Sequence, residues 1–339
     1  MKAIGYQTPA AITDPQSLVD IDLPDPAPAG RDLLVEVKAI SVNPVDYKVR
    51  RSAAPPAGEW KVLGWDVAGV VRAVGEDVSL FKPGDEVFYA GSIVRPGGNA
   101  ELHLVDERIV GAKPRSLGWA EAAALPLTAI TAWEAFFTRL DVARLAPGAA
   151  PAVLIIGGAG GVGSIAVQLA RRLTDLTVIA TASRPETRAW VEELGAHHVI
   201  DHSQPLAPQM AALGLGAPAF VFSTTHSEGR EADIAELIAP QGRVCLIDDP
   251  ARFDVMPFKR KAVSVHNELM FTRSMFATPD MGEQGELLNA VARLVDEGRL
   301  KTTLTTRLTP ISAATLKEAH ALLESGTARG KVVLEGWPA

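Results

Sequence analysis

The segment Val153-Leu154-Ile155-Ile156-Gly157-Gly158-Ala159-Gly160-Gly161-Val162-Gly163 constrains the fold more than any other part of this chain. A short apolar run leads straight into glycines spaced G-x-G-x-x-G at Gly158, Gly160 and Gly163, and a helical pattern carrying Ile165, Val167 and Leu169 follows. The hexapeptide alone is weak, but between a strand and a helix it has a mechanism. The first glycine permits a tight turn, the second lets backbone approach a pyrophosphate, and the third lets helix pack on strand. Amides at the helix start, Gly161 and Val162 among them, then meet the phosphates. No charged residue occurs from Leu145 to Ala170, a length that would suit a membrane span. The prolines at 147 and 151 and the clustered glycines argue instead for a buried strand, a turn and a helix.

The flanking sequence extends this unit. Apolar runs at 153–156, 177–180, 198–200, 219–223, 243–247 and 262–266 alternate with helical segments such as 164–172 and 186–194. Repeated strand–helix units imply a parallel sheet with helices on both faces. The chain before residue 128 reads differently. Segments 33–40, 67–74 and 86–89 are strand-like, with turn signals at Pro24-Asp25-Pro26, Lys82-Pro83-Gly84-Asp85 and Pro96-Gly97-Gly98-Asn99. After residue 272 come helical stretches near 285–297 and 313–324 and strands at 302–308 and 331–335. At 339 residues the chain has room for about two domains. The order of elements predicts a nucleotide-binding domain at 129–272 inserted into a discontinuous β-rich domain made of 1–128 and 273–339.

Residues after the second strand of the inserted domain bear on cofactor choice. An NAD-selective fold usually carries Asp or Glu there to hold the adenine ribose. Here Ser183 and Arg184 stand at that point, with Arg188 one helical turn later. A hydroxyl and two guanidiniums suit a 2′-phosphate, so the expected cofactor is NADPH. Ser183-x-x-Glu186 also reads as a capping box, which would use Ser183 and Glu186 and leave the arginines to the phosphate.

A single cysteine, Cys245, excludes an intrachain disulfide and any zinc site built from several thiolates. Cys245 lies beside Leu246-Ile247 on an expected strand and reads as a small core residue. The adjacent His197 and His198 point to opposite faces of a strand and make poor joint ligands with His202. His266-x-Glu268 lacks the paired cysteines of a zinc deaminase. Phe258-Lys259-Arg260-Lys261 reads as a solvated turn. A formal charge of −7 offers no broad attraction to nucleic acid or anionic membrane. Residues 1–9 hold no apolar core of signal-peptide length, so the expected compartment is the cytoplasm.

Taken together, Ser41-Val42-Asn43-Pro44-Val45-Asp46-Tyr47, Gly64-Trp65-Asp66-Val67-Ala68-Gly69, Lys82-Pro83-Gly84-Asp85-Glu86-Val87, the glycine turn and Gly330-Lys331-Val332-Val333 resemble the medium-chain dehydrogenase/reductases. The likeness extends over the whole length and falls in the zinc-free branch with quinone oxidoreductases, close to bacterial zinc-type alcohol dehydrogenase-like proteins. It implies an α/β fold: a Rossmann doubly wound parallel sheet domain inserted into a discontinuous β-rich GroES-like catalytic domain. Zinc enzymes of the family hold their metal with a Cys where Asn43 stands and a His-Glu pair where Trp65-Asp66 stands. The expectation is therefore no metal.

Without a Lewis acid an alcohol has little help in losing its proton. Quinones and α,β-unsaturated carbonyls are better acceptors, needing mainly orientation and a hydrogen bond to the developing oxyanion. The resemblance implies a nicotinamide cleft lined by Asn43, Tyr47, Trp65 and Thr131, with Asp66 beside it. Asn43 would donate to substrate or cofactor ribose, Tyr47 would donate a proton or shape the pocket, and Thr131 would touch the carboxamide or acceptor. Lys331 would reach the pyrophosphate. Plainer roles stay open: Asn43-Pro44 as a turn start, Trp65 as core, Lys331 as a solvated charge. The resemblance also implies a homodimer formed through the last strand of the nucleotide domain. The function expected is NADPH-dependent reduction of a quinone or enone. Two alternatives remain: an alcohol dehydrogenase, and a non-catalytic NADPH-binding protein.

Overall fold

The computed structural model describes residues 1–338. It resolves into two compact units, Met1–Ile130 together with the chain from Phe271 onward, and Thr131–Met270. In the first unit, β1 (Lys2–Tyr6), β2 (Val19–Asp22) and β3 (Asp32–Val42) are followed by α1 (Pro44–Ser52). The chain continues through β4 (Lys61–Val62), β5 (Val67–Val74), β6 (Glu86–Tyr89), β7 (Leu102–Asp106), β8 (Val110–Ala112), α2 (Trp119–Ala123) and α3 (Pro126–Trp133), which runs from the first unit into the second.

Strand β3 shows why this part is a sheet. Leu33, Val35, Val37 and Ala39 are buried on one face while Leu34, Glu36 and Lys38 on the other are half-buried, the period-two pattern of a one-sided strand. Its last residues, Ala39 to Val42, are buried on both faces, because α2 packs against the strand.

The second unit holds six strands, β9 (Ala150–Ile156), β10 (Thr177–Thr181), β11 (His198–Ile200), β12 (Pro218–Ser223), β13 (Arg243–Leu246) and β14 (Ser264–Asn267). Helices α4 (Gly161–Leu173), α5 (Pro185–Glu193), α6 (Leu206–Ala212) and α7 (Glu231–Leu237) connect them. All strand pairs are parallel, in the order β11-β10-β9-β12-β13-β14. This is the doubly wound arrangement, and the strand order reverses beside β9, where such sheets bind ligands. Helix α4 is buried continuously from Gly163 to Ala170, as its uncharged sequence requires. The apolar run expected at 262–266 starts later as β14. Residues 256–261 form a tight helical turn that ends on a left-handed Ala262, φ 50°, and only then does the chain extend.

The chain then returns to the first unit through α8 (Thr272–Phe276), α9 (Glu283–Asp296), β15 (Leu304–Leu308), α10 (Ala313–Glu324) and β16 (Lys331–Glu335). Its main sheet runs β15-β16-β3-β5-β6-β8, with β7 also paired to β3. Strand β15 begins two residues later than expected, since the hydroxyls of Thr302 and Thr303 donate to Glu121 and Ala124 carbonyls instead. Cys245 is buried on β13. Among the described residues no helix is long and apolar enough to cross a membrane.

Candidate functional site

Three neighbouring strands of the first unit bring one polar cluster together. β16 pairs β3 with Val332 opposite Val42, and β3 pairs β5 with Ile40 opposite Val67. Lys331 at the start of β16, Asn43 just past β3 and Asp66 just before β5 therefore lie at the same end of the sheet. All three are buried, at 3%, 1% and 0% exposure. The Lys331 ammonium donates to the Val42 carbonyl at 3.0 Å, to Asp66 Oδ2 at 3.0 Å and to Asn43 Oδ1. Asn43 Nδ2 donates to Asp66 Oδ2 at 2.8 Å, and the Leu127 amide donates to Asp66 Oδ1 at 2.8 Å.

Asp46 completes the cluster from the first turn of α1. Its Oδ2 accepts the Asn43 amide at 2.7 Å, the reach-back of a capping box, and its Oδ1 accepts the Gly64 amide at 3.1 Å. Gly64 has φ +104°, and a Cβ there would sit 2.2 Å from Asn99 Oδ1, so only glycine presents that amide. Burial pushes the Asp46 carboxyl up to about 7, against the Asn43 amide bond and the Lys331 charge, with Asp66 adding to the rise. Burial also raises Asp66, while Lys331 and Asn43 oppose the shift. Sequence reasoning passed over Asp46, although Asn43-Pro44-Val45-Asp46 is a helix-start pattern that could have pointed to it.

Several expected roles change. Lys331 spends its donors inside this cluster rather than holding them for a pyrophosphate. The Asn43 amide is engaged by Asp66 and Lys331. Trp65 is core: its indole donates to the Ser92 carbonyl at 3.2 Å and meets Phe271 edge-on at 6.0 Å. Asp66 is sealed from solvent, so neither Trp65 nor Asp66 lines a substrate pocket. Tyr47 differs. It is half-buried on α1, and its hydroxyl has no hydrogen-bond partner among the described residues.

The residues at the zinc position do not fit that ion. An amide already bonded, an indole that can only donate, and a carboxylate held by an ammonium offer no tetrahedral donor set. Among the described residues no group of three His, Cys, Asp or Glu could hold a metal.

In the second unit the glycine turn has the shape a dinucleotide needs. Gly158 lies where a Cβ would be 2.8 Å from the Ala180 Cβ, and at Gly163 it would be 2.2 Å from the Gly157 carbonyl. Gly160 differs: only that carbonyl, at 3.5 Å, comes near its missing Cβ, which leaves the turn open to a ligand. Gly160 caps α4 in an extended conformation, and Gly161 and Val162 stand half-buried at the helix start. Thr181 at the end of β10 accepts the Gly157 amide at 2.9 Å, and its hydroxyl also meets His202 Nδ1 at 3.1 Å. Sequence reading did not single out Thr181. These residues fit a nicotinamide dinucleotide, with its pyrophosphate at the turn.

Beyond β10, Ser183 is half-buried and its hydroxyl has no partner among the described residues. It does not cap α5. That cap is Arg184, whose amide donates to Thr187 Oγ1 at 3.2 Å, because Pro185 takes the first helical position. Arg184 pairs with Glu186 at 3.2 Å on the surface. Arg188 donates to the Ala182 and Val199 carbonyls at 3.3 and 3.0 Å, closing the ends of β10 and β11 instead of waiting for a phosphate. Thr131, on α3, is buried at 5% exposure.

Residues 29–131 match the family model of the alcohol dehydrogenase GroES-like domain, and residues 194–334 match that of the zinc-binding dehydrogenases. A Staphylococcus aureus zinc-type alcohol dehydrogenase-like protein is 40% identical, covering 98% of this chain and 99% of its own. A crystal structure from Rhizobium etli, of a protein provisionally described as a zinc-dependent alcohol dehydrogenase, is 76% identical. It covers 100% of this chain and 99% of its own, with a TM-score of 0.98. The quinone oxidoreductase of Coxiella burnetii is 27% identical, with a TM-score of 0.79 and 99% of each chain covered.

Proposed function

The chain belongs to the medium-chain dehydrogenase/reductase superfamily and is a nicotinamide-dependent oxidoreductase of that type, and we propose that it is a zinc-independent, NADPH-dependent reductase of quinones or α,β-unsaturated carbonyls. One observation carries this reading: Asp66, at the position of a zinc-site residue, is held by the Lys331 ammonium at 3.0 Å. With no ligand set for a Lewis acid, an acceptor already poor in electrons is the substrate class best matched. The Coxiella relative named as a quinone oxidoreductase supports the same class.

The nicotinamide cofactor, when bound, supplies the hydride. The glycine turn binds its pyrophosphate through the amides at the start of α4. Ser183 and Arg184 favour a 2′-phosphate over a free ribose. Tyr47 holds an unpartnered hydroxyl that donates to the acceptor's carbonyl oxygen as negative charge develops there. Asn43 and Asp46 act indirectly, by fixing the start of α1 from which Tyr47 projects.

Rapid-mixing oxidation of bound NADPH against panels of quinones, enones, aldehydes and simple ketones tests the proposal. Metal-free protein should oxidise NADPH with quinones or enones, and Tyr47→Phe should slow that step. Turnover of alcohol with NADP that depends on added zinc would overturn it. Turnover of no acceptor by cofactor-loaded protein would favour a binding role. We propose further that the protein works in the cytoplasm as a homodimer. The support for a dimer is β14, an edge strand that among the described residues pairs only with β13, with Val265 and His266 half-buried. Light scattering that gives a monomer mass would refute the dimer, and cell fractionation checks the compartment.

A further inference from the structure

We propose that Lys331 is the resident cation of the first unit's buried cluster, the chain's own ammonium holding the charge for which relatives' names imply a metal. The inference deepens the zinc-independent reading, but it rests on the geometry around the ammonium. Lys331 has three N–H donors and three oxygens to receive them: the Val42 carbonyl, Asn43 Oδ1 and Asp66 Oδ2. Asp66 is fully buried, and Lys331 is the only cation bonded to it among the described residues. Asp46 faces the same charge, since Lys331 favours its ionised form and Asp66 opposes it.

This arrangement differs from a surface ion pair in what its loss would leave. A vacated Nζ position would be ringed by a carbonyl, an amide oxygen and a carboxylate oxygen, all hard donors around a space shaped for an ammonium group. Such a ring recognises a primary ammonium or a small hard cation, not a thiolate-seeking zinc. A cluster that needed only packing would instead accept an apolar side chain, as many buried ion pairs do.

Chemical rescue separates the two. Lys331→Ala should lower the thermal midpoint by on the order of 10 °C, because it strands a buried carboxylate. Propylammonium chloride at tens of millimolar should restore much of that loss, while tetramethylammonium chloride at equal ionic strength should not, and neither should move the wild-type midpoint. Equal effects of the two salts on the variant would overturn the proposal. If Lys331→Ala does not fold, Lys331→Met compared with Lys331→Met/Asp66→Asn gives the answer. Recovery in the double variant supports an uncompensated charge as the damage, and no recovery, or a Lys331→Met protein as stable as wild type, refutes it. The zinc-independent reading fails separately, if wild-type protein retains stoichiometric zinc after dialysis.

Discussion

Replacing Arg184 and Arg188 one at a time should divide cofactor choice from strand-end stability, although sequence reading gives both the same task. Arg188 bonds the Ala182 and Val199 carbonyls at 3.3 and 3.0 Å from a half-buried position. Hydrogen bonds from charged donors contribute roughly 1.5–3 kcal/mol each when well made. One of these is long and both are partly wet, so about 2 kcal/mol for the pair is reasonable. At roughly 2–4 °C per kcal/mol for a domain of this size, Arg188→Ala should melt about 4–8 °C lower. Its NADPH-to-NADH affinity ratio should stay near that of wild type. Arg184 pairs with Glu186 on the surface at 3.2 Å, the kind of pair that contributes about 0–1 kcal/mol. Arg184→Ala should thus keep its midpoint within roughly 4 °C. Losing one charge-assisted bond to the 2′-phosphate, about 2 kcal/mol, should weaken NADPH roughly 30-fold and leave NADH unchanged. Fluorescence titration with each cofactor and a thermal melt measure both quantities. A cofactor ratio that collapses in Arg188→Ala with no change in melting would refute the division of roles.

Two further perturbations follow from the second unit. Gly160→Ala should fold, since its Cβ meets nothing closer than 3.5 Å, but fill the pyrophosphate's approach and weaken NADPH at least about tenfold. Gly163→Ala should cost about 2 kcal/mol or more of stability, because its Cβ would lie 2.2 Å from the Gly157 carbonyl. Calorimetry and cofactor titration on the two variants check this contrast. Glu268 supplies a pH test. Burial, then the neighbouring Glu134 carboxylate, pushes its carboxyl up to about 8 from 4.5, against Arg139. The folded state then keeps a proton that the unfolded chain has released, so this stabilisation is full below about pH 4.5 and lost as pH rises through about 8. Melting midpoints should fall across that window in wild type, and Glu268→Gln should flatten the fall. An unchanged slope in the variant would count against the buried carboxyl pair.

The sequence by itself determined the elements whose periodicity or backbone chemistry is local. Strand β3 was legible from its alternation, β5, β6, α10 and β16 appeared with their observed ends, and the glycine turn stood between the strand and helix it needs. Local sterics suffice there, because a Cβ at Gly158 or Gly163 has no room whatever lies farther along the chain. Partnership was another matter. Asp46, Asp66 and Lys331 meet only because β16, β3 and β5 are neighbours in one sheet, joining residues separated by up to 285 positions (331 minus 46). No periodicity records such an encounter. Tertiary packing turned Lys331 from an expected phosphate contact into a buried counter-ion, moved Trp65 and Asp66 from pocket to core, and bound Arg188 to strand carbonyls. The physical reason is common to all of these. Where a charged or polar group is buried, its role follows from the partner that satisfies it, and that partner is chosen by the fold.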